Sequence, residues 1–227
     1  METLTDQVNV EAFKSWLTRS TITKDLFRWD ISFSDALKML QVAYERAVAS
    51  RGMKYELPDD VYNNLKAIAG TMTTKSTKCG ILLCGNCGNG KTTTMQAFES
   101  VTKYLHELYK KRCMENGAWP RMLKMQSTSA RRLTQVAKDE TLMAEAKKVD
   151  VLCIDDIGLE PTEVLDYGNA ISPVIEIMEA RYKQQLFTFV TTNLTPAQIR
   201  EKYGDRIADR FNEMMKCIVY KNPTFRK

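Results

Sequence analysis

Ile81-Leu82-Leu83-Cys84-Gly85-Asn86-Cys87-Gly88-Asn89-Gly90-Lys91-Thr92-Thr93-Thr94 decides how this chain is read. Gly85, Gly90, Lys91 and Thr92 fill the pattern G-x-x-x-x-G-K-[ST], and Gly88 adds a third glycine. Phosphate binding explains each position. Glycines let successive backbone N–H groups turn toward phosphate oxygens. The loop then feeds a helix start, where unpaired N–H groups and the helix dipole favour an anion. Gly85, Asn86, Cys87, Gly88, Asn89, Gly90, Lys91, Thr92 and Thr93 are therefore the expected ATP-binding residues. Lys91 is expected on the β/γ-phosphates, and the Thr92 hydroxyl on Mg2+. The flanks agree. Ile81 to Cys84 reads as a buried strand, and Phe98, Val101, Leu105 and Leu108 recur at helical spacing after Met95.

A second stretch, Val149-Asp150-Val151-Leu152-Cys153-Ile154-Asp155-Asp156, is a short apolar run ending in carboxylates. It reads as a parallel strand that delivers acids to the carboxyl edge of a sheet, where ligands bind in such folds. Asp155 is placed to hold the Mg2+ that Thr92 also ligates. Asp156 can then orient or deprotonate the attacking water. A later strand, Leu186 to Thr191, ends in Thr192-Asn193. Asn193 can meet the γ-phosphate or the lytic water, or it can merely cap the helix opened by Pro196. Arg206 and Arg210 stand four apart on one helix face, with Asp205 and Asp209 beside them as ordinary pairing partners.

The totals bound the answer. The chain has 227 residues, enough for one large domain or a domain with an appendage. It is 44% apolar and 27% charged, as soluble globular proteins are. No apolar run approaches a membrane span, and the N-terminus lacks a basic segment followed by an apolar one. A cytoplasmic protein with no membrane partner is expected. Its cysteines lie mostly in predicted strands, as reduced buried thiols do. Cys84-x-x-Cys87 sits inside the phosphate loop, and the chain has one His, so neither a zinc site nor a redox pair is favoured there. A net charge of +5 tolerates a nucleic-acid partner without requiring one.

Residues 1–75 read as a helical region that precedes the core. Val10, Phe13, Trp16 and Leu17 share one face of a short helix. A second helix runs from about Ser34, its expected N-cap, to Ser50. A third opens at Pro58-Asp59-Asp60 and is expected to end at Gly70. Trp16, Phe27, Trp29 and Phe33 make this region rich in aromatics, which suits either a small core or a docking surface. Thr71 to Lys78 is polar and aperiodic and reads as a linker. The expected division is a partner-docking region over 1–75 and an ATP-binding domain over 76–227. Within the latter, Arg121 to Gln126 reads as a strand and Ser127 to Lys138 as a helix carrying Arg131 and Arg132.

Four strings now resemble one family. Gly85-Asn-Cys-Gly-Asn-Gly-Lys-Thr92, Ile154-Asp-Asp-Ile-Gly-Leu-Glu160, Thr191-Thr-Asn-Leu194 and Tyr203-Gly-Asp-Arg-Ile-Ala-Asp-Arg210 are similar to the DnaC/DnaI helicase-loader and IstB transposition-helper branch of the AAA+ ATPases. The resemblance runs from about residue 75 to residue 227. It implies an α/β fold, a P-loop NTPase core of five parallel strands with helices on both faces. It implies slow, oligomer- or partner-stimulated ATP hydrolysis in DNA replication or transposition. The implied partners are a replicative helicase or a transposase, single-stranded DNA held weakly and without sequence preference, and further copies of the chain. By resemblance Asn193 is the sensor-1 residue, Arg210 the arginine finger with Arg206 beside it, and Arg226, within Thr224-Phe225-Arg226, acts like sensor 2. A GTPase would need Asn-Lys-x-Asp and an ABC ATPase Leu-Ser-Gly-Gly-Gln, and neither occurs. A nucleoside kinase shares the phosphate loop. An ATP-gated binding module without turnover is the reading from another class, and Asp156 and the two arginines argue against it.

Overall fold

The structure, a computed structural model, describes residues 9–20, 25–166 and 169–225. The elements run α1 (Val10–Ser20), α2 (Phe33–Ala49), α3 (Asp59–Thr73), β1 (Gly80–Gly85), α4 (Lys91–Glu115), β2 (Met125–Ser129), α5 (Ala130–Gln135), α6 (Glu140–Lys148) and β3 (Val151–Ile157). They continue with β4 (Val164–Asp166), β5 (Asn169–Ile171), α7 (Pro173–Gln184), β6 (Phe187–Thr192), α8 (Pro196–Tyr203), α9 (Asp205–Met214) and β7 (Met215–Tyr220).

Five strands form one parallel sheet in the order β2-β3-β6-β1-β7. Strand side chains alternate between faces, and the sequence fills both faces with apolar residues. Ile81 and Leu83, Val151 and Cys153, Phe187 and Phe189, and Ile218 and Tyr220 join one core with α2, α3 and the first half of α4. Leu82 and Cys84, Leu152 and Ile154, Val190 and Met215 join the other, under α5 to α9. The chain leaves β1 for the far edge at β2, returns through β3 and β6, and then crosses β1 to end at β7. The strand order reverses beside β1, so the carboxyl end of β1 lies at the crevice where ligands bind in such sheets. The phosphate-loop sequence is at that end.

Several local expectations move. Ser32, not Ser34, caps α2: its side chain accepts from the Asp35 N–H at 3.1 Å. Helix α3 runs through Gly70 to Thr73, because Thr71 and Met72 are buried on its inner face. The strand placed at Arg121–Gln126 begins only at Met125, since the preceding N–H groups go elsewhere: Leu123 to His106 Nε2 at 3.2 Å and Lys124 to Asp150 Oδ2 at 2.9 Å. Ser127 to Ser129 are therefore ladder residues, opposite Cys153 to Asp155. The single helix placed at Ser127–Lys138 is instead α5, followed by a separate α6 capped by Asp139. The antiparallel pair β4-β5 was not foreseen.

The aromatics of residues 1–75 divide. Trp29 is buried, stacks on Phe98 with ring centres 5.3 Å apart and donates from Nε1 to Thr102 Oγ1. Phe27 meets the edge of Phe187 at 5.4 Å. Phe13 and Trp16 on α1 stack on each other in solvent. Helices α2 and α3 thus form one layer of the sheet's own core. The stretch after α3 is also tied down, because the Arg28 guanidinium donates to the carbonyls of Thr74, Ser76 and Lys78.

A chain beginning at Asp25 should therefore keep the fold, and one beginning at Lys75 should lose it. The longer deletion strips Trp29, Leu40, Leu65, Ile68 and Met72 from the shared core. At about 1.5–3 kcal/mol each, these residues together match the 5–15 kcal/mol that a domain typically holds. Cooperative unfolding by circular dichroism should survive in the first chain and be absent in the second.

Candidate functional site

Lys91 opens α4, whose N-cap is Gly90 at φ +97°. No side chain caps this helix start, so its first N–H groups are available to a ligand. At that φ a residue with a Cβ is strained, and a Cβ at Gly90 would also lie 2.7 Å from the Tyr44 hydroxyl. The Lys91 side chain folds back into its own loop. Its Nζ donates to Gly85 O at 2.7 Å, Asn86 O at 2.8 Å, Asn89 Oδ1 at 3.1 Å and Asn193 Oδ1 at 2.8 Å. Burial pulls the ammonium below its ordinary pKa, and the nearby Asp156, Cys87 and Asp155 oppose that.

Thr92 Oγ1 lies 3.0 Å and 3.2 Å from the two Asp155 oxygens. The β3–β6 ladder breaks between Ile154 and Ile157, so Asp155 and Asp156 swing out of register at the sheet's carboxyl edge. Asp156 takes φ +57°, a strained value for a residue with a Cβ. Its N–H, released from the ladder, donates to Thr191 Oγ1 at 2.8 Å, and the same hydroxyl donates to Asp155 Oδ1 at 2.5 Å. Asn193 Nδ2 donates to Asp156 Oδ1 at 3.2 Å. The amide thus bridges Lys91 and Asp156. The helix cap that Asn193 was one reading for belongs to Thr195, in a reciprocal pair with Gln198. Lys91, Thr92, Asp155, Asp156 and Asn193 therefore form one connected group across three strand ends.

Other expected residues fall differently. Asn89 is buried, and its carbonyl accepts from Asn222 Nδ2 at 3.1 Å. Thr93 Oγ1 accepts from Arg51 Nη1 at 2.9 Å, and Cys87 is exposed. Arg206 and Arg210 do not join the Lys91 group in this chain. Arg206 Nε lies 3.2 Å from Glu179 on α7, Arg210 pairs with the same carboxylate, and Arg210 also lies over the Tyr182 ring. Asp205 and Asp209 pair with Arg200 instead. The Arg206 side chain is 69% exposed and that of Arg210 13%. Arg131 and Arg132 are exposed on α5. Arg226 lies outside the described residues.

Sequence reasoning missed several supports. Glu160 is buried just beyond β3, where it accepts the Gly158 N–H at 2.7 Å and the Tyr203 hydroxyl. Tyr203 is correspondingly pushed far above its ordinary pKa by burial and by that carboxylate. Tyr44 and Arg51, at the end of the N-terminal layer, and Asn222, in the tail, reach the phosphate loop from regions that carry no motif. The Ile-Asp-Asp-Ile-Gly-Leu-Glu string did contain Glu160, but nothing in its spacing gave the residue's role.

The residues fit Mg·ATP. A buried ammonium among oxygens is satisfied without a ligand and can be handed to phosphate oxygens. An uncapped helix start accepts an anion. Thr92 and Asp155 supply hard oxygen donors of the kind Mg2+ takes alongside phosphate and water. Among the described residues no three His, Cys, Asp or Glu side chains cluster as a self-sufficient metal site would require.

No family model matches the chain, and no curated protein matches it. Among solved structures it is similar to the DnaC helicase loader, with TM-score 0.50 and 19% identity over 78% of this chain and 98% of that one. It is similar to a DNA replication initiation factor, with TM-score 0.50 and 17% identity over 73% of this chain and 48% of that one. It is also similar to DnaI, with TM-score 0.48 and 22% identity over 87% and 88% of the two chains. The first two likenesses show a shared fold, a parallel α/β sheet with helices on both faces.

Thr191→Val should destabilise the chain by about 1–3 kcal/mol, because it leaves the Asp156 N–H buried without an acceptor. Thr191→Ser should restore most of the loss. Urea unfolding of the three chains reads the difference.

Proposed function

We propose that the chain binds and hydrolyses Mg·ATP as a helicase-loader-type AAA+ ATPase of DNA replication. The observation that carries this reading is the connected group of Lys91, Asn193, Asp156, Thr191, Asp155 and Thr92. It gathers a phosphate cation, a metal carboxylate, a strained second carboxylate and an amide at one crevice. In this reading Lys91 exchanges its loop oxygens for β/γ-phosphate oxygens. Thr92 and Asp155 would hold Mg2+, which supplies charge neutralisation on the phosphates. Asp156 accepts a proton from the attacking water, and Asn193 holds that carboxylate in place. A binding module without turnover would have no use for an aspartate kept at φ +57° beside the metal carboxylate.

Lys91→Ala should weaken Mg·ATP binding at least tenfold, about 1.4 kcal/mol, in calorimetry. Asp156→Asn should bind Mg·ATP within about threefold of the parent and lose on the order of 10²-fold in turnover. Unchanged affinity in the first variant, or unchanged turnover in the second, would overturn the assignment.

The partners follow from the same reading. The exposed apolar face of α1, with Val10, Phe13, Trp16 and Leu17, is the docking element for a replicative helicase. Single-stranded DNA binds weakly and with strong salt dependence, as the small basic excess of +5 implies. Arg206 and Arg210, held on Glu179 away from their own site, serve a neighbouring subunit's γ-phosphate, with the exposed Arg206 nearer to hand. A finger supplied in this way is worth ~10³-fold or more in rate.

Turnover per subunit should therefore rise with protein concentration. An Arg206→Ala/Arg210→Ala chain should bind Mg·ATP and be inactive alone. Mixed with Lys91→Ala, which keeps its arginines, it should regain activity. Full turnover of the double variant at high dilution would rule out the role in trans.

A further inference from the structure

Strands β1 and β7 run side by side, with Leu82 opposite Cys217 and Cys84 opposite Val219. These four side chains share one face of the sheet. Cys84 is buried there among Leu82 and Met215. Cys217 is exposed, because β7 is an edge strand whose outer residues, Val219 among them, face solvent. The two sulfurs are 3.7 Å apart and hydrogen-bonded. The Cys84-x-x-Cys87 spacing drew attention to a neighbour in sequence, but the thiol that meets Cys84 in the fold comes from the last strand of the core.

We propose that Cys84 and Cys217 form an oxidative modification site, which a peroxide or oxidised glutathione converts into a disulfide that weakens nucleotide binding. The chemistry balances with hydrogen peroxide. The Cys217 thiolate attacks one peroxide oxygen, the O–O bond breaks, and a sulfenic acid forms as hydroxide leaves and takes up a proton. The Cys84 sulfur then attacks the sulfenic sulfur. The S–S bond forms, the S–O bond breaks, and the departing hydroxide takes the Cys84 proton. Two thiols lose two hydrogens and two electrons, and peroxide leaves as two waters.

The roles follow from the surroundings. Cys217 is reachable, and the hydrogen bond it shares with Cys84 lowers its thiol below the ordinary range, with Lys216 assisting and burial opposing. Cys84 is raised by that hydrogen bond and by burial, so it waits as the resolving thiol. Bonding requires the sulfurs to close by about 1.7 Å, to a bond length of ~2.05 Å. Cys84 is in register with Val219, so Cys217 is its diagonal neighbour, at a Cα spacing of ~7–8 Å that a disulfide spans only with backbone movement. Closing the sulfurs must therefore displace Cys84 and Gly85, whose carbonyl holds Lys91 Nζ.

The effect on nucleotide rests on the phosphate-loop reading above, whereas the cross-link does not. The test uses the full reduced chain, treated with hydrogen peroxide or oxidised glutathione and then mapped as unreduced peptides, with ATP affinity measured in parallel. The expected result is a linked Cys84–Cys217 peptide, two fewer free thiols, and ATP binding at least fivefold weaker that dithiothreitol restores. Cys217→Ser should show neither the link nor the loss, and Cys87→Ser should still form the link. A map without that peptide overturns the pairing. A link that leaves ATP affinity unchanged, or an equal loss of affinity in Cys217→Ser, overturns the control of binding. Reduced protein that fails to bind ATP at all would overturn the ATPase reading instead, and the peptide map would still judge the pair.

Discussion

A buried ammonium at the start of α4 is the constraint around which this fold closes. An unpaired charge there would cost several kcal/mol, so the Lys91 Nζ needs oxygens from every side. It takes two backbone carbonyls and one side chain from its own loop, and the fourth oxygen from Asn193 at the end of β6. That last bond reaches 102 residues along the chain. It holds the ends of β1 and β6, which are adjacent in the sheet, to a common level. Phosphate oxygens can replace carbonyl oxygens around the ammonium without stranding the charge. The resting arrangement thus keeps the cation folded inward and ready for exchange.

The same economy governs the carboxylates. Asp155 and Asp156 face the crevice only because β3 leaves its ladder, and that departure releases an N–H that must find a partner. Thr191 accepts it and donates its own proton to Asp155, so one hydroxyl answers both consequences of the bulge. Glu160 holds the far side of the turn through Gly158, and Tyr203 fixes Glu160 from α8. The strained φ of Asp156 is sustained from β6 on one side and from α8 on the other. The backbone of the carboxylate proposed to accept the water's proton is therefore fixed by a bond to a neighbouring strand.

What the sequence made legible follows the range of each signal. The phosphate-loop pattern, the acidic strand end and the two-faced apolar strands are written in contiguous residues, so the strand, loop and helix around Lys91 and the carboxylates at the end of β3 could be read directly, whereas the five-stranded sheet came with the family resemblance. Asn193 was ambiguous because its use depends on Lys91, which is far away in sequence. Thr195 caps α8 and removes the capping alternative, and the bulge that brings Asp156 to Asn193 left no local trace. Ser127 to Ser129 looked like a helix start because polar residues suit caps. They are a strand because the edge strand β2 has only Val151 to Asp155 to pair with. Residues 25–73 were the least legible. Their apolar positions announced helices without saying which surface the helices would cover, and the polar run after Met72 hid the Arg28 contacts that tie it down.

Those contacts change how the two ends of the chain relate to the site. Tyr44 from α2 fills the space a side chain at Gly90 would need, and Arg51, just beyond α2, reaches Thr93 at 2.9 Å and Gln96 at 2.6 Å in the first turns of α4. From the other end Asn222 holds the Asn89 carbonyl, and the Phe225 N–H donates to Gly88 O at 2.9 Å. The loop expected to wrap phosphate is thus gripped by both flanks of the core, and neither flank carries a nucleotide motif. A loop held only by its own strand and helix could reshape freely around a ligand. One bonded by Asn222 and Phe225, and followed by a helix start bonded by Arg51, transmits its adjustments to the tail and to the end of α2.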